Sequence, residues 1–230
     1  MLVGSSNIAD IEVATLVDAV RWVVPPALVL QATRISTCAG DLFTEEAEHV
    51  AAAVSKRRTE FTAGRVCARA ALARLGIRPM PVPVGSKGEP VWPPGIVGSI
   101  THDMDLCIVA LQSANRLAGI GIDITENSKL GDDVTGLICT PREIACNRDF
   151  GTSADPFRII FSLKESIYKC LFPFIRRFLD FHEVEVALDP FSIHASEPAR
   201  EQLPFGIQEK LCAAFCVVNG CIFSAAWVDV

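Results

Sequence analysis

The sequence has no Cys-x-x-Cys pair and no histidine at zinc-ligand spacing from a cysteine, which argues against a structural zinc site and a disulfide framework. Its nine cysteines (Cys38, Cys67, Cys107, Cys139, Cys146, Cys170, Cys212, Cys216 and Cys221) are an odd number. Most lie in apolar runs such as Leu106-Cys107-Ile108-Val109, where free cysteine acts as a small hydrophobe, so a reducing cytoplasm is expected. A long uninterrupted apolar run is also missing. The stretch from Ile8 to Ala32 comes nearest, but Asp10, Glu12, Asp18, Arg21 and Pro25-Pro26 interrupt it, so neither a signal peptide nor a spanning helix is expected. Neither the Walker pattern nor Gly-x-Gly-x-x-Gly occurs, which removes the ordinary nucleotide-binding fingerprints. Basic residues are outnumbered, 21 Lys+Arg against 27 Asp+Glu for a formal charge of −6, which argues against nucleic acid as a partner unless the sign reverses locally.

What is present is a 230-residue chain that is half apolar, which excludes disorder and allows one large domain or two of roughly 115 residues. One segment does reverse sign. From Lys56 to Arg78 seven basic residues (Lys56, Arg57, Arg58, Arg65, Arg69, Arg74 and Arg78) stand beside one acid, Glu60, giving +6 locally and −12 elsewhere.

Pattern and punctuation predict the elements. Val- and Leu-rich residues 22–35 around Pro25-Pro26 read as an irregular edge strand. Thr44 is the expected N-cap of an Ala-rich helical stretch with Glu45 and Glu46 in its first turn, broken near Ser55 and stopped at Gly76. A Pro- and Gly-rich loop follows, then short strands at Ile96–Thr101 and Leu106–Leu111. Leu117–Ile124 reads as a strand with Ile120, Ile122 and Ile124 on one face and Gly119, Gly121 and Asp123 on the other. Residues 126–156 form a polar functional loop with some short helix. Asp155-Pro156 opens a helix to about Phe172, and strands follow at His182–Leu188 and Phe191–His194. Ala213–Val218 and Cys221–Val228 form a hairpin around Asn219-Gly220. The element order repeats without a sequence repeat. It predicts an α/β (α+β) fold of two similar subdomains in pseudo-twofold arrangement, residues 1–116 and 117–230, each a long helix on a small, mostly antiparallel sheet.

Four clusters could carry chemistry, and each has an ordinary structural reading too. The basic helix is either a solvated face or a clamp whose guanidinium forks match phosphate oxygens. The loop Gly85-Ser86-Lys87-Gly88-Glu89-Pro90 and the run Gly98-Ser99-Ile100-Thr101-His102 offer close backbone approach and cationic donors. Asp123 in Gly121-Ile122-Asp123-Ile124-Thr125-Glu126 is either a strand-end turn residue or a hard-metal ligand. In Phe161-Ser162-Leu163-Lys164-Glu165-Ser166-Ile167-Tyr168-Lys169, Glu165 and Lys169 are i, i+4 neighbours, a surface ion pair or a catalytic pair.

Taken in order, these segments resemble the Sfp-type 4′-phosphopantetheinyl transferase superfamily, in particular its enterobactin-synthetase-component-D and mycobacterial-like branch. The resemblance covers about residues 43–182. It runs through Leu42-Phe43-Thr44-Glu45-Glu46, Lys56 to Phe61, Gly64 to Arg69, Gly88 to Pro93, Gly98 to His102, Gly121-Ile122-Asp123 and Phe161 to Lys169. It implies Mg²⁺-dependent transfer of phosphopantetheine from coenzyme A, the co-substrate, to a serine of an apo acyl or peptidyl carrier protein. Adenosine 3′,5′-bisphosphate is the other product, and Mn²⁺ is an alternative metal. By position in the family, Arg57, Arg65 and His102 hold the 3′-phosphate and adenosine end. Ser86, Lys87 and Thr101 line the same site. Asp123 and Glu165 hold the metal, Glu165 accepts the serine proton and Lys169 stabilises the leaving group. The family's second strand carboxylate is replaced here by Thr125, with Glu126 displaced to the opposite face, so the expected metal set is Asp123, Thr125 and Glu165 and weaker Mg²⁺ affinity is expected. Carrier docking is expected on Asn127–Gly151 or on Arg176 and Arg177. A cytoplasmic monomer that binds neither nucleic acid nor membrane completes the expectation. The alternatives are a non-catalytic coenzyme A or carrier-binding homologue and a coenzyme A hydrolase.

Overall fold

A computed structural model describes residues 13–230, so the start of the predicted N-terminal half and of its apolar stretch lies outside the described residues. Helix α1 (Val13–Val20) buries Leu16 and Val20, and a single 3₁₀ turn (Arg21–Val23) follows. The edge strand begins later than predicted, as β1 (Val29–Arg34), because Pro25-Pro26 forms a turn that Leu28 closes by donating its N–H to the Pro25 carbonyl. The helical stretch is divided near Ser55 as expected, into α2 (Thr44–Val50) and α3 (Ser55–Arg74). Its N-cap is Phe43 and not Thr44, because the Glu46 carboxylate reaches back to accept the Phe43 N–H at 3.0 Å.

Strands β2 (Ile96–Asp103) and β3 (Leu106–Ser113) complete an antiparallel sheet of order β1-β3-β2. The second half repeats the plan. Strand β4 (Leu117–Glu126) leads to α4 (Asp132–Ile138) and α5 (Pro141–Asn147), the two short helices of the polar stretch, and then to α6 (Pro156–Ile175). The Asp155 carboxylate caps α6 by accepting the Phe157 N–H. The helix outruns its predicted end because Pro173 falls in its last turn, and Arg176 stops it in the left-handed region at φ 58°. After a two-stranded ribbon, β5 (Val184–Leu188) and β6 (Phe191–Ala195), come two short helices that sequence reading missed, α7 (Glu197–Arg200) and α8 (Ile207–Lys210). The hairpin of β7 (Leu211–Val218) and β8 (Cys221–Asp229) then pairs with β4 in the order β4-β8-β7. In both three-stranded sheets the strand that comes first in the chain lies beside the one that comes last, and the last beside the middle one.

Alternation along the strands builds the core in layers. On β3, Leu106, Ile108 and Ala110 join Ile120, Ile122 and Ile124 of β4, Phe223 of β8 and Leu16 of α1 in one cluster between the sheets. Cys107, Val109 and Leu111 face α3, while α6 covers the far side of the second sheet through Ile160, Leu163 and Ile167. The mixed α/β class with small antiparallel sheets is the predicted one.

A buried carboxylate recurs in each half with the same partners. Glu46 Oε2 accepts from the Phe43 N–H and from Arg69 of α3 at 2.8 Å, and its Oε1 accepts from the Val82 N–H. Glu143 Oε2 accepts from the Thr140 N–H and from the Lys164 ammonium of α6 at 2.7 Å, and its Oε1 accepts from the Val186 N–H. Each glutamate thereby ties the first turn of a short helix, the long helix and the extended segment that follows it.

Candidate active site

Strand β4 lies against α6 because its face there carries glycine. A Cβ at Gly121 would collide with the Ser166 carbonyl of α6, and one at Gly119 would come within 2.7 Å of the Cys170 carbonyl. With no side chain at either position, the next residue on that face, Asp123, stands directly beside the helix.

Strand β2 fixes the other side of β4 without forming a ladder. Three side chains from alternate positions of β2 accept successive β4 backbone N–H groups, Ser99 from Ile122, Thr101 from Ile124 and Asp103 from Glu126, each at 3.1 Å. The Thr101 hydroxyl also donates to Asp123 Oδ1 at 3.2 Å. Thr101 was expected in the coenzyme A site. The structure buries it against Asp123, because it shares a face with Ser99 and Asp103, and His102 lies on the opposite face with Ile100, toward α3.

Asp123 is 7 % exposed, and both its oxygens are engaged. Oδ1 also accepts from the Lys169 ammonium at 2.8 Å, and Oδ2 accepts from the Ser162 hydroxyl at 3.0 Å. Ser162 in turn meets Ser224 of β8, whose hydroxyl donates to the Ser162 carbonyl at 2.7 Å. Lys169 further donates to the Ile122 carbonyl at 3.1 Å, so it pairs with the strand and not with Glu165, its helical neighbour. Glu165 is partly buried and accepts no hydrogen bond among the described residues. Burial pushes its carboxyl above the ordinary range, against the attraction of Lys169 and with the added repulsion of Asp123. Thr125, two positions from Asp123 on the same face, is buried.

The first half contributes cations. Arg65 is 6 % exposed, lies over the Phe61 ring at 4.1 Å and uses Nε to donate to the Val82 carbonyl. Burial lowers its pKa to about 10, partly offset by Glu46 and reinforced by Arg57. Its terminal nitrogens have no described partner, whereas Arg69 is committed to Glu46 and to the Asp41 carbonyl. His102 is partly buried, and its pKa is lowered first by burial, with Glu60 and Asp103 opposing and Arg57 and Lys169 assisting. Arg57 from α3 and Lys169 from α6 are thus both near enough for their fields to act on His102. Ser86 and Lys87 are exposed in the Gly85–Glu89 turn, where the Glu89 carboxylate accepts the Lys87 N–H.

A cavity of ≈ 470 Å³ opens between the halves. The Lys87–Trp92 segment and β2 form one wall, and Gly119, Tyr168, Lys169, Phe172 and Arg176 form the other. Of the two arginines expected to meet a carrier, Arg176 reaches this cavity, but Arg177 is held by Glu183 at 2.6 and 2.7 Å and by Gln202. Lys164 also turns away from the site, its ammonium sealed by Glu143 and the carbonyls of Ile138 and Phe181.

The serines and the two glutamate hubs escaped sequence reading. Ser162 had a signal, since it precedes Glu165 by three residues and Lys169 by seven and so shares their helix stripe. Ser224 had none, because its position directly across from Asp123 depends on pairing between distant strands.

Comparison with known proteins accords with this geometry. The family profile of the 4′-phosphopantetheinyl transferase N-terminal domain matches residues 45–112, and that of the 4′-phosphopantetheinyl transferase superfamily matches residues 119–216. The chain is similar to the 4′-phosphopantetheinyl transferase Svp of Streptomyces mobaraensis, 44 % identical over 155 residues, covering 65 % of this chain and 62 % of that protein. It is also similar to the 4′-phosphopantetheinyl transferase PptT of Mycobacterium tuberculosis, 38 % identical over 63 % of this chain and 64 % of the relative. Enterobactin synthase component D of Escherichia coli is 36 % identical over 50 % of this chain and 54 % of its own length. The chain thus spans less than two thirds of the length of each of these relatives.

Proposed function

Because the chain belongs to the 4′-phosphopantetheinyl transferase superfamily, we propose that it moves the phosphopantetheine group of coenzyme A onto a serine of an apo acyl or peptidyl carrier protein. Adenosine 3′,5′-bisphosphate leaves. Arg57, Arg65 and His102 bind the 3′-phosphate and adenosine end, and the unpartnered terminal nitrogens of buried Arg65 support that assignment. Ser86 and Lys87 close over the same end from their exposed turn. The cavity beside Lys169, lined by Trp92, Tyr168 and Phe172, receives the pantetheine arm.

The observation that carries the reading is Glu165, a carboxylate that faces the Asp123–Lys169 pair, lacks a donor among the described residues and is raised in pKa by burial. Such a group is a better proton acceptor than an exposed carboxylate. Glu165 accepts the serine hydroxyl proton, the serine oxygen bonds to the β-phosphorus of coenzyme A, and the bond from that phosphorus to the bisphosphate oxygen breaks. Lys169 neutralises charge on the departing oxygen.

Two carboxylates and a hydroxyl, Asp123, Glu165 and Thr125, fit Mg²⁺ or Mn²⁺, which prefer hard oxygen ligands and keep water or phosphate in their other positions. Bound there, the ion supplies charge neutralisation on the diphosphate. The division into a coenzyme A-binding half, 1–116, and a catalytic half, 117–230, belongs to this reading, and the repeated strand order and paired glutamate hubs support it. So does a monomer in a reducing cytoplasm. All nine cysteines are free, and no helix among the described residues is long and apolar enough to cross a membrane.

Incubation with coenzyme A, Mg²⁺ and a panel of apo carriers tests the proposal by intact mass. Gain of one phosphopantetheine on at least one carrier is the expected result. Coenzyme A binding with no gain on any carrier would make the chain a binding protein, the reading that Thr125 favours.

A further inference from the structure

Asp123 is a buried carboxylate with a resident cation. Lys169 Nζ lies 2.8 Å from Oδ1 and 3.1 Å from the Ile122 carbonyl, although Glu165 is available one helical turn away. A buried carboxylate is costly unless its charge is compensated, and this ammonium supplies the compensation. We propose that Lys169 is an exchangeable counter-ion of Asp123, displaced when a divalent metal binds and passed to the diphosphate, so that metal and coenzyme A bind cooperatively through one ammonium. The inference rests on the transferase reading for the identity of the diphosphate ligand; the contact is independent of it.

Three features make the exchange workable. First, a dication bonded to Asp123 and an ammonium touching Oδ1 repel one another, so metal binding favours removal of Lys169. Second, the ammonium has somewhere to go: the Lys169 side chain is 26 % exposed, lines the cavity and carries four flexible methylenes. Third, the carboxylate keeps its orientation through the exchange, because Thr101 holds Oδ1 and Ser162 holds Oδ2 from two other elements. Without a diphosphate, the displaced ammonium loses an anionic partner and gains only water, so the metal alone binds weakly. With the diphosphate present, Lys169 exchanges one anion for another and that cost disappears. The same coupling tightens coenzyme A when metal is present, since linkage between two ligands is reciprocal.

Electron paramagnetic resonance of Mn²⁺ binding to metal-free protein, with and without coenzyme A and corrected for Mn²⁺ held by free coenzyme A, tests this without recourse to turnover. The wild type should bind Mn²⁺ about tenfold more tightly when coenzyme A is present, within the usual range of coupling. Lys169→Met should bind Mn²⁺ alone about tenfold more tightly than wild type, with the coupling largely gone. Lys87→Met removes a cation from the same cavity without touching Asp123, and should leave the affinity for Mn²⁺ alone unchanged. Cooperative thermal unfolding certifies each variant, and Lys169→Gln serves if the methionine variant fails to fold. Equal Mn²⁺ affinity in wild type and Lys169→Met, or an equal gain from Lys87→Met, would overturn the proposal and leave the transferase reading standing. No Mn²⁺ binding by any of these proteins would overturn both the proposal and the metal assignment.

Discussion

Glu165 sits where a carboxylate is least comfortable, and that discomfort has measurable consequences. Its raised pKa means that the folded chain takes up this proton more readily than the unfolded chain does. Its contribution to stability is therefore fully present only below the unfolded carboxyl pKa and is lost as pH rises through the folded value. Glu165→Gln should accordingly raise the melting temperature of metal-free protein at pH 7, by about 2–4 °C for each kcal/mol recovered in a chain of this size, and give no gain in acid. The same substitution should lower transfer by about 10²–10⁴-fold, the usual contribution of a positioned base. Thr125 offers a second residue-level test. Thr125→Glu adds a carboxylate on the Asp123 face and should lower the Mg²⁺ concentration at half-maximal rate; an unchanged Mg²⁺ dependence would remove Thr125 from the metal site.

At the scale of elements, the site depends on how closely α6 approaches β4 and on how α6 is fastened. Gly121→Ala places a methyl against the Ser166 carbonyl and should cost about 1–3 kcal/mol, read by chemical denaturation, with a larger proportional loss of turnover because Asp123 moves relative to Lys169. Lys164→Met leaves Glu143 buried with only backbone donors and should destabilise by about 3–5 kcal/mol, although Lys164 reaches no cavity residue. Stability near wild type would show that the Glu143 hub does not fasten the helix. The elements were largely legible in the sequence, since the Asp155-Pro156 start of α6 and the Ile120, Ile122, Ile124 alternation of β4 are local signals. The part Thr101 plays in holding β4 was not read from the sequence although its signal was present. Period-2 alternation separates it from His102 and groups it with Ser99 and Asp103, and the three together hold β4.

For the whole molecule, the +6 segment of a −6 chain proves to be unevenly committed. Arg69 and Arg74 are occupied by structural acceptors, and Arg65, in a buried setting, keeps terminal nitrogens without a hydrogen-bond partner among the described residues. Composition alone could not make that distinction, because it depends on Glu46 and Val82 arriving from elsewhere in the chain. The likeness of the halves was legible in the element order but not in the residues. Neither the repeated 1-3-2 strand order nor the pairing of Glu46 with Arg69 and Glu143 with Lys164 leaves a recognisable sequence repeat, because different residues perform the same task. The proposed site draws its cations mainly from one half and its carboxylates from the other, so its activity belongs to the assembled pair. The most direct test follows both products of one reaction, measuring adenosine 3′,5′-bisphosphate released and phosphopantetheine gained by an apo carrier. Equal amounts, both lost in Glu165→Gln, are the predicted result; bisphosphate release without carrier modification, or neither product with every carrier tried, would contradict the account.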